Sequence, residues 1–264
     1  MSSIIVRAAI IMGLPFSIHL RDDATGNAGR FDAAVDRLWD SLRSADRVFS
    51  TYRRNSDINR IGRGELAVAD ADPTVPEVLD LAAVAERITG GTFDIRAAGV
   101  LDPSGIVKAW AASRAADELT CLGVDHYLNA GGDVLLRSLS ATRPWRIGIE
   151  HPENPQGLLA VVQAASGAVA TSGRSHRGGH ITDPATGRPA IGIAQATVVG
   201  PSLIWADVLA TAVVAGGLDR LDRGQWPPGY EVLLMTDDGE VLGTPGFGRL
   251  LAPDVPAPTF TASL

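Results

Sequence analysis

Two oxygen-bearing side chains, Asp207 and Thr211, lie four residues apart and form a candidate site for a metal ion. They fall within a helix predicted over residues 202–215, where a spacing of four puts both side chains on one face. A carboxylate and a hydroxyl, helped by a backbone carbonyl and water, suit a hard cation such as Mg²⁺. The residues around Asp207 are small and apolar, so its carboxylate would be buried and would need a partner. The alternative is local bonding, with the Thr211 hydroxyl returning to a helix carbonyl.

A second candidate is the start of a helix predicted from Ser104, with Lys108 in its first turn. Unbonded backbone N–H groups and an ammonium together could hold a pyrophosphate. A solvated lysine on an ordinary helix is the alternative. The turn Gly131-Gly132-Asp133 could let the backbone approach a ligand closely, or it could be a simple hairpin turn. The chain contains no GxGxxG fingerprint after a strand, Walker A run, GxSxG elbow or HExxH motif.

The loop from Ala170 to Gly187 is a polar run between two apolar, strand-like segments, and it contains His176 and His180. Loops held by a rigid scaffold often carry binding and catalytic groups. A histidine there could transfer a proton near neutral pH, although a lone histidine is more often a surface residue. Elsewhere, Tyr52 could stack on a flat ring and Asp94 could accept hydrogen bonds from a ligand. An exposed tyrosine and a locally bonded aspartate are the alternatives.

These candidates need a scaffold of helices placed among strands that are mostly joined as hairpins. Apolar spacing predicts helices over 29–48, 75–89, about 15 residues from Ser104 and 202–215, with a short helix beginning at Ser56. This pattern favours an α+β fold over a doubly wound parallel sheet. The segment 252–264 is rich in Pro, Ala, Ser and Thr and is predicted to be disordered, which leaves one domain over 1–251.

Composition excludes several classes of protein. The chain has 264 residues and a formal net charge of −7, which argues against nucleic acid or an anionic membrane as the main partner. Cys121 is the single cysteine, so an intramolecular disulfide and a thiolate zinc site are excluded. The apolar N-terminal run is short and interrupted by Arg7, which indicates a strand and not a signal peptide. We therefore expect a cytoplasmic protein with no integral membrane segment.

Seven pieces of the chain, taken in order, resemble the FAD:protein FMN transferase (ApbE) family. They are MGLPFSI at 12–18, FSTYRRNSDINRI at 49–61, TGGTFDI at 89–95, DPSGIVKAWA at 102–111, LNAGGDV at 128–134, ATSGRSHRGGHITDPATGRP at 170–189 and ADVLATA at 206–212. The resemblance implies a single α+β domain of mixed, mainly antiparallel strands with packed helices and an FAD cleft. It also implies an enzyme that uses Mg²⁺ to transfer FMN from FAD to a threonine or serine hydroxyl of a target protein, releasing AMP.

Roles are carried over by position from this resemblance. His180 matches the family's catalytic base, while Asp207, Thr211 and the carbonyl of Gly105 match its metal ligands. The positions that match FAD contacts are Met12, Tyr52, Thr92, Phe93, Asp94, Asp102, Lys108 and Ile181. A histidine poised near pH 7 could take the proton that the acceptor hydroxyl loses. Mg²⁺ would neutralise the pyrophosphate oxygens, and the lysine would add fixed positive potential there.

The chain departs from the family pattern at a few positions. Ala109 stands where glycine is usual after the lysine, Asp57 replaces a glutamate and Gly62 replaces an asparagine. The segment between Asp94 and Asp102 is also much shorter than usual. These differences leave the acceptor protein and the fit of the substrate open.

Two alternatives to the transferase are an Mg²⁺-dependent FAD pyrophosphatase that gives FMN and AMP, and a non-catalytic FAD-binding protein. The presence of His180, Asp207, Thr211 and Lys108 argues against the non-catalytic alternative. The transferase and the pyrophosphatase would use the same candidate residues. They differ in whether a peptide can dock beside His180.

Overall fold

A nine-stranded sheet, mixed but mainly antiparallel, forms the centre of the molecule. The structure is a computed structural model that describes residues 3–22, 28–97, 99–174, 181–220 and 226–264. Helices cover one face of the sheet, and a β-hairpin covers part of the other. This architecture confirms the α+β fold expected from the sequence.

The helices lie where the apolar periodicity predicts them, with ends that differ by one or two residues. In the described ranges they are α1 (Ala28–Phe49), α2 (Asp57–Gly62), α3 (Thr74–Ile88), α4 (Ser104–Thr120) and α5 (Leu203–Gly216), with short 3₁₀ helices at Val68–Asp70, Leu218–Arg220 and Phe247–Leu250. The predicted start at Ser56 is confirmed, because its hydroxyl accepts a hydrogen bond from the Asn59 amide and caps α2. No helix in the described ranges is both long and apolar enough to cross a membrane.

The strands form the central sheet and two small hairpins. They are β1 (Ser3–Ile11), β2 (Leu14–Asp22), β3 (His126–Ala130), β4 (Asp133–Arg137), β5 (Trp145–His151), β6 (Asn154–Ala164), β7 (Ser166–Gly173), β8 (Thr182–Asp183), β9 (Arg188–Pro189), β10 (Ile193–Gly200), β11 (Glu231–Thr236), β12 (Val241–Gly243) and β13 (Ala262–Ser263). The order in the central sheet is β1-β2-β3-β4-β7-β10-β11-β12-β13. Strand β4 pairs with β7 because the β5–β6 hairpin leaves the plane between them.

Alternate residues of the central strands pack on opposite faces of the sheet, as strand geometry requires. In β7, Ala168 and Ala170 face the helices, whereas Val169 faces the β5–β6 hairpin with Trp145. Helix α5 is buried over most of its surface, between the sheet and α4. Any polar side chain on α5 therefore lies in the protein interior and needs a partner there.

The C-terminal segment differs from the disorder predicted for it. Strand β13 pairs in parallel with β12, and the amide of Leu264 donates to the Gly243 carbonyl at 3.0 Å. The Phe260 ring lies against Gly243, which has no side chain to exclude it. The composition of the segment gives no sign of the strand pairing or of the Phe260 contact, and Ala262–Ser263 form the last strand of the central sheet.

Candidate functional site

Three elements that are distant in the sequence bring a lysine and two aspartates together. The ammonium of Lys108, on α4, lies 2.5 Å from Oδ2 of Asp133, at the start of β4. The same nitrogen lies 3.4 Å from Oδ1 of Asp207, on α5. The predicted candidates Lys108 and Asp207 are thus direct neighbours, and Asp133 completes a compact charged cluster.

The carboxylate of Asp207 is held in an unfavourable place for a negative charge. The residue is only 2% exposed, and its Oδ2 has no hydrogen-bond partner among the described residues. Burial raises the pKa of Asp207 to about 7, the Lys108 ammonium opposes that rise and the Asp133 carboxylate adds to it. When both carboxyls are ionised, the cluster therefore carries more negative charge than Lys108 balances.

Asp133 was not predicted as a site residue, because its Gly-Gly-Asp turn was interpreted either as a close approach of backbone to a ligand or as a simple hairpin turn. It is 1% exposed. Its Oδ1 accepts a hydrogen bond from the Thr171 amide on β7 at 3.0 Å, so the carboxylate is fixed while Oδ2 faces Lys108. A charged residue directly after two glycines, at the start of an apolar strand, was the signal available in the sequence.

Thr211 lies one turn beyond Asp207 on α5, as its spacing predicts. Among the described residues its hydroxyl makes no hydrogen bond to a helix carbonyl. It hydrogen-bonds instead to the Ser172 hydroxyl at 2.9 Å. Next to Ser172, the Thr171 hydroxyl bonds to that of Thr197 at 2.8 Å. The end of β7, just before the histidine loop, is therefore tied by hydroxyls to α5 and to β10.

Gly105 and Phe93 lie against each other at the start of α4. A Cβ atom built on Gly105 would approach Cε2 of Phe93 to 3.2 Å, so the absence of a side chain permits this contact. Lys108 follows Gly105 by three residues and therefore lies on the same side of the helix. Thr92 in turn packs against Gly216 at the end of α5. These contacts join the segment 92–94 to both helices of the charged cluster.

Asp94 and Asp102 bracket the shortened segment, and both make local hydrogen bonds. Oδ1 of Asp94 accepts from the Arg96 amide at 2.7 Å, and Oδ1 of Asp102 accepts from the Ser104 amide at 2.9 Å. The Asp102 amide donates to the Ile95 carbonyl at 2.8 Å, which closes the segment on itself. Their roles as FAD contacts stay predictions, because the structure shows them in local turns.

Met12 and Tyr52 lie at turns, apart from these contacts. Met12, in the β1–β2 turn, has a φ of 54°, a conformation that non-glycine residues adopt uncommonly. Tyr52 follows α1, and its side chain is 98% exposed. A fully exposed ring has no packing role in the protein, so it is open to stacking on a flat ligand.

The histidine loop is described only at its two ends. His176 and the predicted base His180 lie within 175–180, outside the described residues. Ile181 is buried in an apolar cluster with Val213 and Val214 of α5. Two residues further on, Asp183 pairs with Arg220 at 2.6 Å. The chain immediately after His180 is therefore packed on the helix that carries Asp207.

The residues present fit a divalent cation. No group of three or more His, Cys, Asp or Glu side chains within the described ranges could hold a metal ion. Asp207 nevertheless offers a buried carboxylate oxygen without a hydrogen-bond partner, beside a second carboxylate. Hard cations accept one or two carboxylates completed by hydroxyl, carbonyl and water oxygens. Thr211 and the Gly105 carbonyl stay predicted ligands.

The departures from the family pattern are accommodated locally. Oδ2 of Asp57 accepts a hydrogen bond from the Asp72 amide at 2.8 Å, which ties α2 to the segment before α3. Ala109 is fully buried in the main core, next to Lys108.

Comparison with known proteins gives consistent similarities in sequence. The ApbE family model matches residues 12–101 and 96–225. An FAD:protein FMN transferase of Rhodobacter capsulatus is 34% identical over 237 residues, covering 85% of this chain and 42% of that protein. One of Vibrio cholerae serotype O1 is 34% identical over 204 residues, covering 69% of this chain and 60% of that protein. The chain thus spans about half the length of the curated relatives it matches.

Solved structures show the same fold. The ApbE protein of Thermotoga maritima superposes with a TM-score of 0.82 at 20% identity, covering 95% of this chain and 100% of that one. The flavin transferase ApbE from Vibrio cholerae superposes with a TM-score of 0.79 at 22% identity, with the same coverage. The match of the family model over most of the chain, with two relatives at 34% identity, shows that this chain belongs to the ApbE family.

Proposed function

We propose that this protein is an FAD:protein FMN transferase, which uses Mg²⁺ to transfer FMN from FAD to a threonine or serine hydroxyl of a target protein and releases AMP. The observation that carries the proposal is the buried cluster of Lys108, Asp133 and Asp207, in a chain whose relatives bear that name. A cluster of this kind can hold a cation and a phosphate side by side.

The site's own residues would divide the work of positioning and charge balance. Asp207 and Thr211 on α5, with the Gly105 carbonyl on α4, would hold the Mg²⁺. The bound ion would supply a positive charge that stabilises the pyrophosphate oxygens and the departing AMP. Lys108 is the fifth residue of α4 and follows the first turn, whose N–H groups also favour an anion, so it would bind the phosphates.

The acceptor hydroxyl must lose a proton as its oxygen bonds to phosphorus. We propose His180 for this role because an imidazole titrates near neutral pH. The next residue, Ile181, is buried against Val213 and Val214, on the same helix as Asp207. Tyr52, with its exposed ring, would stack on a flat ring of FAD.

The proposal is tested by incubating the protein with FAD, Mg²⁺ and a candidate acceptor domain that carries threonine and serine hydroxyls. The expected result is covalent FMN on the acceptor, detected by intact mass and in-gel fluorescence, with one AMP for each adduct. FMN and AMP without an adduct would support the pyrophosphatase alternative. Intact FAD with Mg²⁺ present would refute both enzymes and support the non-catalytic alternative.

A histidine pair in the same loop provides a matched control for the base. His180→Ala should abolish transfer and leave FAD binding unchanged, whereas His176→Ala should leave transfer within about threefold of the wild type. Equal activity of the two variants would remove His180 as the base.

A further inference from the structure

The charged cluster is asymmetric in a way that the proposed function does not explain. The Lys108 ammonium is closer to Asp133, at 2.5 Å, than to Asp207, at 3.4 Å. Asp133 is itself held by the Thr171 amide. Neither Oδ2 atom has a hydrogen-bond partner among the described residues, but that of Asp133 lies beside the ammonium, whereas that of Asp207 is outside the ion pair with Lys108, which uses Oδ1 of Asp207.

The charges of the cluster favour the binding of a divalent cation. With both carboxyls ionised, Asp133, Asp207 and Lys108 leave a net negative charge in a place where water cannot screen it. A divalent cation would balance both carboxylates without the lysine. The ammonium and the cation therefore compete for the same two negative groups, since each lowers the electrostatic attraction available to the other.

From this competition, and resting on the proposed Mg²⁺ site, we propose that Lys108 is a stand-in cation in the metal-free protein and that Asp133 positions it. By holding the ammonium, Asp133 keeps it from closing fully on Asp207, so the unpartnered oxygen stays open to a divalent ion. Binding of that ion would weaken the hold of both carboxylates on Lys108. The ammonium would then be available to the substrate's pyrophosphate only when the metal is in place.

The test is the affinity for Mn²⁺ without FAD, measured by the electron paramagnetic resonance signal of the unbound ion. Lys108→Met should bind Mn²⁺ about tenfold or more tightly than the wild type, because it removes the competing charge. Lys108→Arg keeps the charge and should stay within about threefold. Asp133→Asn should bind Mn²⁺ more weakly, because the ammonium can then close on Asp207. Equal affinities for Lys108→Met and the wild type would overturn the proposal.

Loss of Lys108 alone leaves two buried carboxylates without their cation and could impair folding. A double variant that removes one carboxylate together with the lysine is therefore compared as well. Asp133→Asn combined with Lys108→Met should bind Mn²⁺ more tightly than Asp133→Asn alone, and the reverse order would contradict the competition. Asp125→Asn is the matched control, since Asp125 is a buried aspartate paired with Arg21 elsewhere. It should leave Mn²⁺ affinity unchanged.

These measurements separate the inference from the proposed function. If the wild type transfers FMN but Mn²⁺ affinity does not respond to Lys108→Met, the inference fails and the transferase stands. If the affinities follow the predicted order but FAD is never cleaved, the transferase fails and the stand-in role of Lys108 remains.

Discussion

Replacing Asp207 by asparagine should stabilise the metal-free protein, although it removes a candidate metal ligand. Raising the pKa of this buried carboxyl from 3.8 to about 7 makes its ionised form about 4 kcal/mol less favourable in the native state than in the unfolded chain. An asparagine does not carry that cost, and its amide can donate to the neighbouring Asp133. Lys108 loses one partner but keeps Asp133 at 2.5 Å.

The expected gain at pH 8 is therefore about 2–4 kcal/mol in the free energy of unfolding, or roughly 4–8 °C in Tm for a chain of this length. The gain should depend on pH. Between about pH 4 and pH 7 the unfolded chain has lost the Asp207 proton while the native protein retains it, so the wild type loses stability as pH rises through this window. At pH 5 the difference from this cause should be smaller, roughly 1–2 kcal/mol, which is less than half of that at pH 8.

The assay is thermal unfolding of the wild type and Asp207→Asn at pH 5 and pH 8, first with a chelator and then with Mg²⁺. Mg²⁺ should raise the Tm of the wild type, because a ligand that binds the native state stabilises it, and should not raise that of the variant. Asp125→Asn is the matched buried control and should destabilise at both pH values, since it weakens an ion pair with Arg21. A variant that is less stable than the wild type at pH 8, or a difference that is equal at the two pH values, would refute the reasoning.

Three further predictions concern the scaffold. Gly173→Ala, at the end of β7, should lower the free energy of unfolding in urea by about 1–3 kcal/mol, because its Cβ would lie 2.8 Å from a backbone oxygen of β10. As a control, Gly29→Ala, in an open position on α1, should raise the free energy of unfolding by up to about 1 kcal/mol. Burial lowers the pKa of His126 below 6.5, so the native protein binds fewer protons than the unfolded chain and loses stability as pH falls below 6.5. His126→Asn should therefore reduce the difference in urea midpoint between pH 7.5 and pH 5.5. An unchanged difference would contradict this. Arg21→Ala should cost about 3–5 kcal/mol in chemical denaturation, because it leaves Asp125 buried without its cation; a cost below about 1 kcal/mol would show that the pair is effectively solvated.

The helices could be predicted from the sequence because their signals are local. Apolar residues recur every three or four positions in 29–48, and the predicted helix is α1, Ala28–Phe49. The cap at Ser56 and the placement of Asp207 and Thr211 on one helix depend on residues within one turn of each other, and both are confirmed. The role of the pair as metal ligands stays a prediction. The resemblance to the ApbE family was equally readable, since it depends on short motifs and their order.

The sheet order and the C-terminal strand depend on contacts between distant residues. Nothing in the segment between β4 and β7 indicates that the β5–β6 hairpin leaves the sheet and allows those two strands to pair. The last strand was missed because its segment has a low-complexity composition, and it is held by pairing with β12 and by Phe260 against Gly243.

The sequence by itself determined which residues could do chemistry: a lysine at a helix start, an aspartate and a threonine on one helix face, and two histidines in a polar loop. Only the tertiary structure decided that Lys108 meets Asp207 and that Asp133 is the third member of the cluster. The physical reason is that an ion pair depends on distance in space and not on distance along the chain. Lys108 on α4 and Asp133 on β4 are 25 positions apart, and Asp133 and Asp207 on α5 are 74 positions apart. Burial of α5 between the sheet and α4 then sets the charge balance of the cluster, because it removes the water that would otherwise screen Asp207.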